Sequence, residues 1–184
     1  RKMDEKYYVS YNTIHDHVKS LAHRLMASGF DPDVIVAIGS GGFIPARIMK
    51  TFINRPILAV GISYYNLDQK HTTHPQKIQW IDQTEKQLKG KKVLLIDEVD
   101  DTRATLSYCV KELLSNGPKE IAVLVLHNKK KEKDAEFPPE IKRYFSGEDI
   151  EDLWIKYPWD ADDITDHDRN EQLMLSEYAK AGKE

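Results

Sequence analysis

The sequence predicts an α/β fold, a mainly parallel twisted sheet flanked by helices. Three observations predict it. Short β-branched runs alternate with stretches of helical periodicity along 184 residues, the pattern that builds βαβ units. Gly or Pro punctuates several junctions. The run Val93–Ile96 is apolar at every position, as a strand covered on both faces must be.

Each element follows from its residues. Ile14, Val18, Leu21, Ala22, Leu25 and Met26 form an apolar stripe at helical spacing, with Ser10 or Asn12 as cap and Gly29 as stop. Val34 to Ile38 reads as a buried strand running into Gly39-Ser40-Gly41-Gly42. The next helix turns Ile44, Ile48, Phe52 and Ile53 inward, and Pro45 falls in its first turn, where a missing N–H is harmless. Ile57 to Ser63 is a strand; residues 64–90 are polar and weakly patterned, with a short strand expected at Lys77 to Ile81. Two further strands, Val93 to Ile96 and Ile121 to Leu126, bracket a helix from Ala104 to Ser115 that Gly117-Pro118 closes. Asn128 to Glu140 is a charged loop, and the tail holds Leu153-Trp154-Ile155 and a weak helix near Glu171 to Lys180. No linker splits the chain, so one domain over 1–184 is expected. Ligands of such sheets sit beyond the strand C-terminal ends, which selects the loops after Ile38, Ser63, Ile96 and Leu126.

Composition narrows the function. Lys+Arg number 27 and Asp+Glu 30, a net charge of −3, which excludes a globally basic nucleic-acid binder and argues against an acidic disordered tail. The single cysteine, Cys109, excludes a disulfide framework and a Cys-based zinc site; a buried inert thiol is expected. No apolar run approaches the ~18 residues of a membrane span and no secretory pattern opens the sequence. A cytoplasmic location, with no membrane or nucleic-acid partner, is expected. His15, His17, His23, His71 and His74 show no metal-ligand spacing and read as surface residues.

The chemistry concentrates at Val93-Leu94-Leu95-Ile96-Asp97-Glu98-Val99-Asp100-Asp101-Thr102-Arg103-Ala104-Thr105-Leu106. Four carboxylates crowd the five positions from Asp97 to Asp101, an arrangement that repulsion and desolvation disfavour. A divalent cation, a polyhydroxyl ligand or a developing positive charge offsets that. The small and hydroxylic residues after Asp101 open a helix, whose first amides suit a phosphate. Acids beside a phosphate cradle suit a phosphorylated sugar. An ATPase-type strand is the first alternative, but Gly39-Ser40-Gly41-Gly42-Phe43-Ile44 lacks the required Lys-[ST]. The same loop begins like a dinucleotide fingerprint, yet Ile44 stands where a small residue belongs. A solvated acidic turn before a helix is the plain alternative.

The segment Asp97 to Leu106 resembles the signature of the type I phosphoribosyltransferases, which bind 5-phosphoribosyl 1-pyrophosphate (PRPP). Ile38 to Pro45 resembles their pyrophosphate loop, Ile62 to Asn66 their flexible-loop entry, and Trp154-Ile155-Lys156-Tyr157-Pro158-Trp159-Asp160 the purine-binding segment of the xanthine-guanine members. The likeness runs from about residue 10 to 160 and looks closest to the fungal hypoxanthine-guanine branch.

That resemblance implies the type I phosphoribosyltransferase fold, with a core of about 10–130 and a purine-binding hood of about 141–184. It implies a Mg²⁺-dependent transferase of purine salvage, moving the phosphoribosyl group of PRPP to hypoxanthine, guanine or xanthine. The products are a nucleoside monophosphate and pyrophosphate, and relatives assemble as homodimers or homotetramers. Asp97 and Glu98 match the pair that addresses the ribose hydroxyls, directly or through Mg²⁺, and Asp101 matches the general base beside the purine. Asp101, Thr102, Arg103, Ala104 and Thr105 match the 5′-phosphate loop, and Ser40 and Gly41 the pyrophosphate loop. Lys129 matches the donor to the purine 6-oxo group, Trp154 the stacking residue and Ile155 the reader of the base edge; Asp160 matches a contact to the exocyclic 2-position or a metal ligand.

Departures and alternatives accompany this. Relatives often carry Gly where Arg103 stands, so its backbone role in the phosphate turn is expected, with a cation near the phosphate or an outward side chain as alternatives. They often carry Arg or Lys where Ser40 stands, so Mg²⁺ is expected to offset more of the pyrophosphate charge, with Arg47 or Lys50 helping. The family's non-proline cis bond would fall at Gly39-Ser40. Lys129-Lys130-Lys131-Glu132-Lys133 also reads as a solvated charge run, and Trp154 as a core residue. A mobile closing loop is expected from Tyr65 to about Gln79. A non-catalytic PRPP- or nucleotide-sensing protein on the same fold is the functional alternative; an orotate or uracil enzyme is disfavoured by the Trp154–Asp160 segment.

Overall fold

The computed structural model describes residues 5–65 and 71–182. Its centre is a six-stranded sheet of β2 (Val34–Gly39), β3 (Ile57–Tyr65), β4 (His71–Gln79), β5 (Lys92–Asp100), β6 (Glu120–Lys129) and β7 (Arg143–Ile150). Their order is β4-β3-β2-β5-β6-β7, parallel throughout except for the β3–β4 pair. A separate two-stranded parallel sheet joins β1 (Lys6–Tyr8) to β8 (Trp154–Lys156).

Both faces of the large sheet are covered, as parallel pairing requires. Alternation along each strand sorts the side chains. Ile35, Ala37, Leu94, Ile96, Ala122 and Leu124 meet Ile14, Val18, Leu21, Leu25, Ala46 and Met49 of α1 (Tyr11–Ala27) and α2 (Phe43–Phe52). Val34, Val36, Ile38, Val93, Leu95, Val123 and Val125 meet Leu88, Leu106, Val110 and Leu113 of α3 (Thr84–Leu88) and α4 (Ala104–Leu114). Cys109 is buried in that second layer, and burial pushes its thiol pKa far up.

Helix α1 begins where Ser10 Oγ accepts from the Thr13 amide, and Gly29 follows its cap in a left-handed turn at φ +80°. The last helix, α5 (Ile164–Ala181), returns to that start: the buried Glu171 carboxylate accepts from Ser10 N at 2.7 Å and Thr13 Oγ1 at 2.9 Å.

Several elements differ from the sequence expectation. Helix α2 buries Pro45, Ala46 and Met49, while Ile44 is exposed and Ile48 and Phe52 only partly covered; the small Ala46 is the residue that lets α2 approach the core. The stretch expected as a mobile loop instead contains β4, antiparallel to β3; residues 66–70 of that expected loop lie outside the described residues. Strand β7 extends the core sheet to Ile150, past the 130 and 141 boundaries of the core and hood. It is an edge strand whose half-covered, polar and Gly-containing residues lack alternation. Helix α5 starts at Ile164, earlier than Glu171, because Asp163 caps it by accepting from the Asp166 amide. No described helix is long and apolar enough to cross a membrane.

Candidate functional site

The C-terminal ends of β2 and β5 are neighbours, so their loops face each other across one cavity of about 360 Å³. Its wall includes Gly39, Ser40 and Gly41 from the first loop, and Asp97, Glu98 and Asp101 through Leu106 from the second. The Gly39–Ser40 bond is cis. A side chain at 41 would place its Cβ 2.2 Å from the Glu98 carboxylate carbon, so the bare glycine is what gives that carboxylate its room.

Asp97 ends the continuous buried run of β5 from Val93, its Oδ1 accepting from the Glu98 amide at 2.9 Å. Burial, then the adjacent Glu98 charge, holds its carboxyl well above the usual carboxylate range. Such a pair gains from a cation set between its oxygens.

The four carboxylates do not share one pocket. Asp100 is fully buried and turns away beneath the loop. Its Oδ2 accepts from Arg103 Nη2 at 2.7 Å, Arg103 Nε at 3.1 Å and the Tyr144 hydroxyl at 2.8 Å. Arg103 sits at φ +71°, a left-handed conformation that favours glycine. Its guanidinium lies 4.5 Å over the Phe137 ring. The side chain is turned toward Asp100 and Phe137 and braces the turn from below. Lys133 adds to the brace, donating to the carbonyls of Asp100 (3.0 Å), Asp101 (2.9 Å) and Lys129 (2.8 Å). Above it, Thr102 Oγ1 accepts from the Ala104 amide at 3.4 Å, and α4 starts there with first-turn amides that have no preceding carbonyl to pair with.

A second cavity of about 210 Å³ adjoins the first and is lined by Glu98, Val99, Asp101, Lys129, Trp154, Ile155, Tyr157 and Asp160. Trp154 is 69% exposed, which excludes the core reading. Lys129 is buried, its Nζ 3.5 Å from Asp101 Oδ2, and Lys131 donates to Asp101 Oδ1 at 2.8 Å. Burial alone would raise the Asp101 pKa, but the Lys131 hydrogen bond and the charges of Lys129 and Lys131 outweigh it and hold the carboxyl below its ordinary range. Tyr157 stacks on Trp159 at 4.7 Å and donates to the Glu98 carbonyl at 3.1 Å.

Ser40, Gly41, Asp97, Glu98, Asp101 to Thr105, Lys129, Trp154, Ile155 and Asp160 each line one of these two cavities, and Glu98 and Asp101 line both. Arg47 and Lys50 do not: they lie along α2, Arg47 Nη1 with Thr51 and Lys50 Nζ with the Arg55 carbonyl. Missed at the sequence level were Tyr144, which stood in a stretch with no periodic signal, and Lys131 and Lys133, which a charge run concealed. Tyr157 was visible only as part of the Trp154–Asp160 segment.

Residues 10–163 match the model of the phosphoribosyl transferase domain. The chain belongs to the phosphoribosyltransferase family. Xanthine phosphoribosyltransferase 1 of Saccharomyces cerevisiae is 40% identical, over 89% of this chain and 94% of that protein. The hypoxanthine-guanine phosphoribosyltransferase of Schizosaccharomyces pombe is 39% identical, over 91% and 95%. Among solved structures, a hypothetical protein from Neisseria gonorrhoeae with bound ppGpp superposes with a TM-score of 0.86 at 43% identity, covering 94% of this phosphoribosyltransferase and 99% of that chain.

Proposed function

We propose that this phosphoribosyltransferase moves the 5-phosphoribosyl group of PRPP onto a 6-oxopurine, giving the nucleoside monophosphate and pyrophosphate. The observation that carries the reading is Asp101 in the wall shared by a phosphate-suited cavity and an aromatic-edged one. The names of the yeast relatives support the purine class.

In this reading the loop from Asp101 to Thr105 cradles the 5′-phosphate with its amides and hydroxyls, and Ser40 and Gly41 approach the pyrophosphate with bare backbone. Trp154 stacks on the purine, Ile155 reads its edge, and Lys129 donates to the 6-oxo oxygen. A bond forms between a purine ring nitrogen and ribose C1′ as the bond from C1′ to the pyrophosphate oxygen breaks. The proton of the incoming base passes to Asp101, whose lysine neighbours keep it ionised and ready to accept. Positive charge developing on the ribose is stabilised by Asp97 and Glu98. Hard carboxylate oxygens crowded beside a phosphate cradle fit Mg²⁺; Asp97 and Glu98, with Asp160 on the base side, would hold it. When bound, it would neutralise pyrophosphate charge that Ser40 leaves without a cationic side chain.

Purified protein mixed with Mg²⁺, PRPP and hypoxanthine, guanine or xanthine in turn tests this. Nucleotide from at least one base is expected, and none from any of the three would sink the proposal. The ppGpp bound to the Neisseria relative supports a second occupant: a ppGpp-type nucleotide would take the same cavities and inhibit competitively with PRPP. Inhibition unaffected by PRPP concentration would refute that part alone.

A further inference from the structure

Away from both cavities, three side chains from separate elements aim their ligating atoms at one point. His17 on α1, His127 near the end of β6 and Glu148 on β7 bring two imidazole nitrogens and a carboxylate oxygen within 4.8 Å of one another. Glu148 Oε2 lies 3.3 Å from His17 Nε2 and 4.0 Å from His127 Nε2. A tetrahedral ion with ligand bonds of about 2.05 Å has edges of about 3.3 Å. Of the three edges the His17–Glu148 one matches, and the His127–Glu148 and His17–His127 ones, within 4.8 Å, need closure by side-chain rotation. His17 thus departs from the surface histidine its sequence suggested, because Glu148, distant in the chain, supplies the missing carboxylate.

The protonation pattern suits a metal. His127 is fully buried, and its Nε2, shielded from solvent, has no hydrogen-bond partner, while His17 Nε2 has only the Glu148 carboxylate, at 3.3 Å. A buried polar atom left this way is uncommon. The Tyr157 hydroxyl gives its one proton to the Glu98 carbonyl, so at 2.9 Å it accepts from His127 Nδ1–H. That fixes the tautomer and leaves Nε2 as a lone pair directed into the cluster. The other Glu148 oxygen accepts from the Tyr7 hydroxyl at 2.7 Å. Ligands oriented by such outer hydrogen bonds are the usual support of a metal site.

We propose that His17, His127 and Glu148 form a site for a borderline divalent cation of the zinc class, separate from the acidic pair. Two imidazoles and one carboxylate suit Zn²⁺, whereas Mg²⁺ prefers oxygen donors alone. The side chains of His17 and Glu148 are 22% and 38% exposed, which gives the ion an entry and leaves a fourth position for water. Once bound, it staples α1 to the β6–β7 edge. Through His127 and Tyr157 the staple also reaches the backbone of Glu98.

The test uses chelator-stripped full-length protein in excess Mg²⁺, which occupies the acidic pair. Zn²⁺ is titrated calorimetrically and Co²⁺ by its visible ligand-field absorption. One equivalent should bind, with the absorption of a tetrahedral site holding imidazole. At hundredfold excess over Kd, Zn²⁺ should raise Tm by roughly 5 °C or more. His17→Gln and Glu148→Gln should each weaken binding at least about tenfold and abolish the Co²⁺ band. His17 lies partly exposed on a helix and Gln at 148 keeps an acceptor for Tyr7, so circular dichroism should match wild type. Absence of Zn²⁺ binding to the wild type would overturn the proposal. So would binding that survives His17→Gln and disappears in Asp97→Asn, which would put the ion on the acidic pair.

Discussion

The loop after β2 and the loop after β5 both bring backbone close to the cavity, but they are made of different material. The first uses glycine: Gly39 leaves space for the Phe43 ring, Gly41 for the Glu98 carboxylate and Gly42 for the Ile38 and Ile96 carbonyls. The second places Arg103 in a left-handed turn and holds it with Asp100, Tyr144, Phe137 and Lys133. One loop is shaped by what is missing above it, the other by what is built beneath it. A left-handed turn at a cavity wall therefore does not require glycine, provided a buried counter-charge offsets the backbone strain.

Breaking the brace should have the largest effect on folding. Asp100→Ala strands the Arg103 guanidinium in a half-buried setting, and loss of one partner of a buried pair typically destabilises by about 3–5 kcal/mol; chemical denaturation measures it. Gly41→Ala should act on function instead. The displaced atoms belong to the flexible end of Glu98, so stability should change by less than about 1 kcal/mol. The misplaced carboxylate should lower kcat/KM for PRPP by about a hundredfold, read by steady-state kinetics.

A smaller effect is expected from Lys131→Met, which removes the 2.8 Å hydrogen bond to Asp101. Asp101 acts as carboxylate and its pKa is held down by the lysines, so losing one raises it. The acid limb of the pH–kcat/KM profile should move upward by as much as about one pH unit, with the alkaline limb unmoved. A milder stability effect than that of Asp100→Ala is expected from the paired change Asp100→Asn with Arg103→Gly, which replaces the brace by a glycine turn. Its loss should fall well short of the Asp100→Ala loss, within about 1–2 kcal/mol of wild type, a coupling a double-mutant cycle reads. Full additivity of the single losses would show that the two residues do not act as one unit.

The order of the core strands and helices was legible because buried parallel strands are apolar at nearly every position, as Leu94 to Ile96 and Ile121 to Leu126 are. The site was legible because its residues sit on strand-end loops in local motifs: Asp97 to Thr105, Gly39 to Gly42 and Trp154 to Asp160. What stayed hidden depends on distant partners. Nothing near Tyr144 or Lys133 in the chain announces that each ends at Asp100 or its carbonyl. The edge strand β7 pairs on one side only and so lost the alternation that marks a half-buried strand. Asp100 looked equivalent to its neighbours, because the turn that sends it under the loop is set by Arg103 at a positive φ.

The central claim is that Asp101 accepts the proton of the base between the two cavities. Asp101→Asn keeps the size of the side chain and an oxygen that still accepts from Lys131, so KM for PRPP should change by less than about threefold. Turnover with the best of the three purines should fall by about 10²–10⁴. Unchanged turnover, or a loss confined to KM for PRPP, would contradict the account.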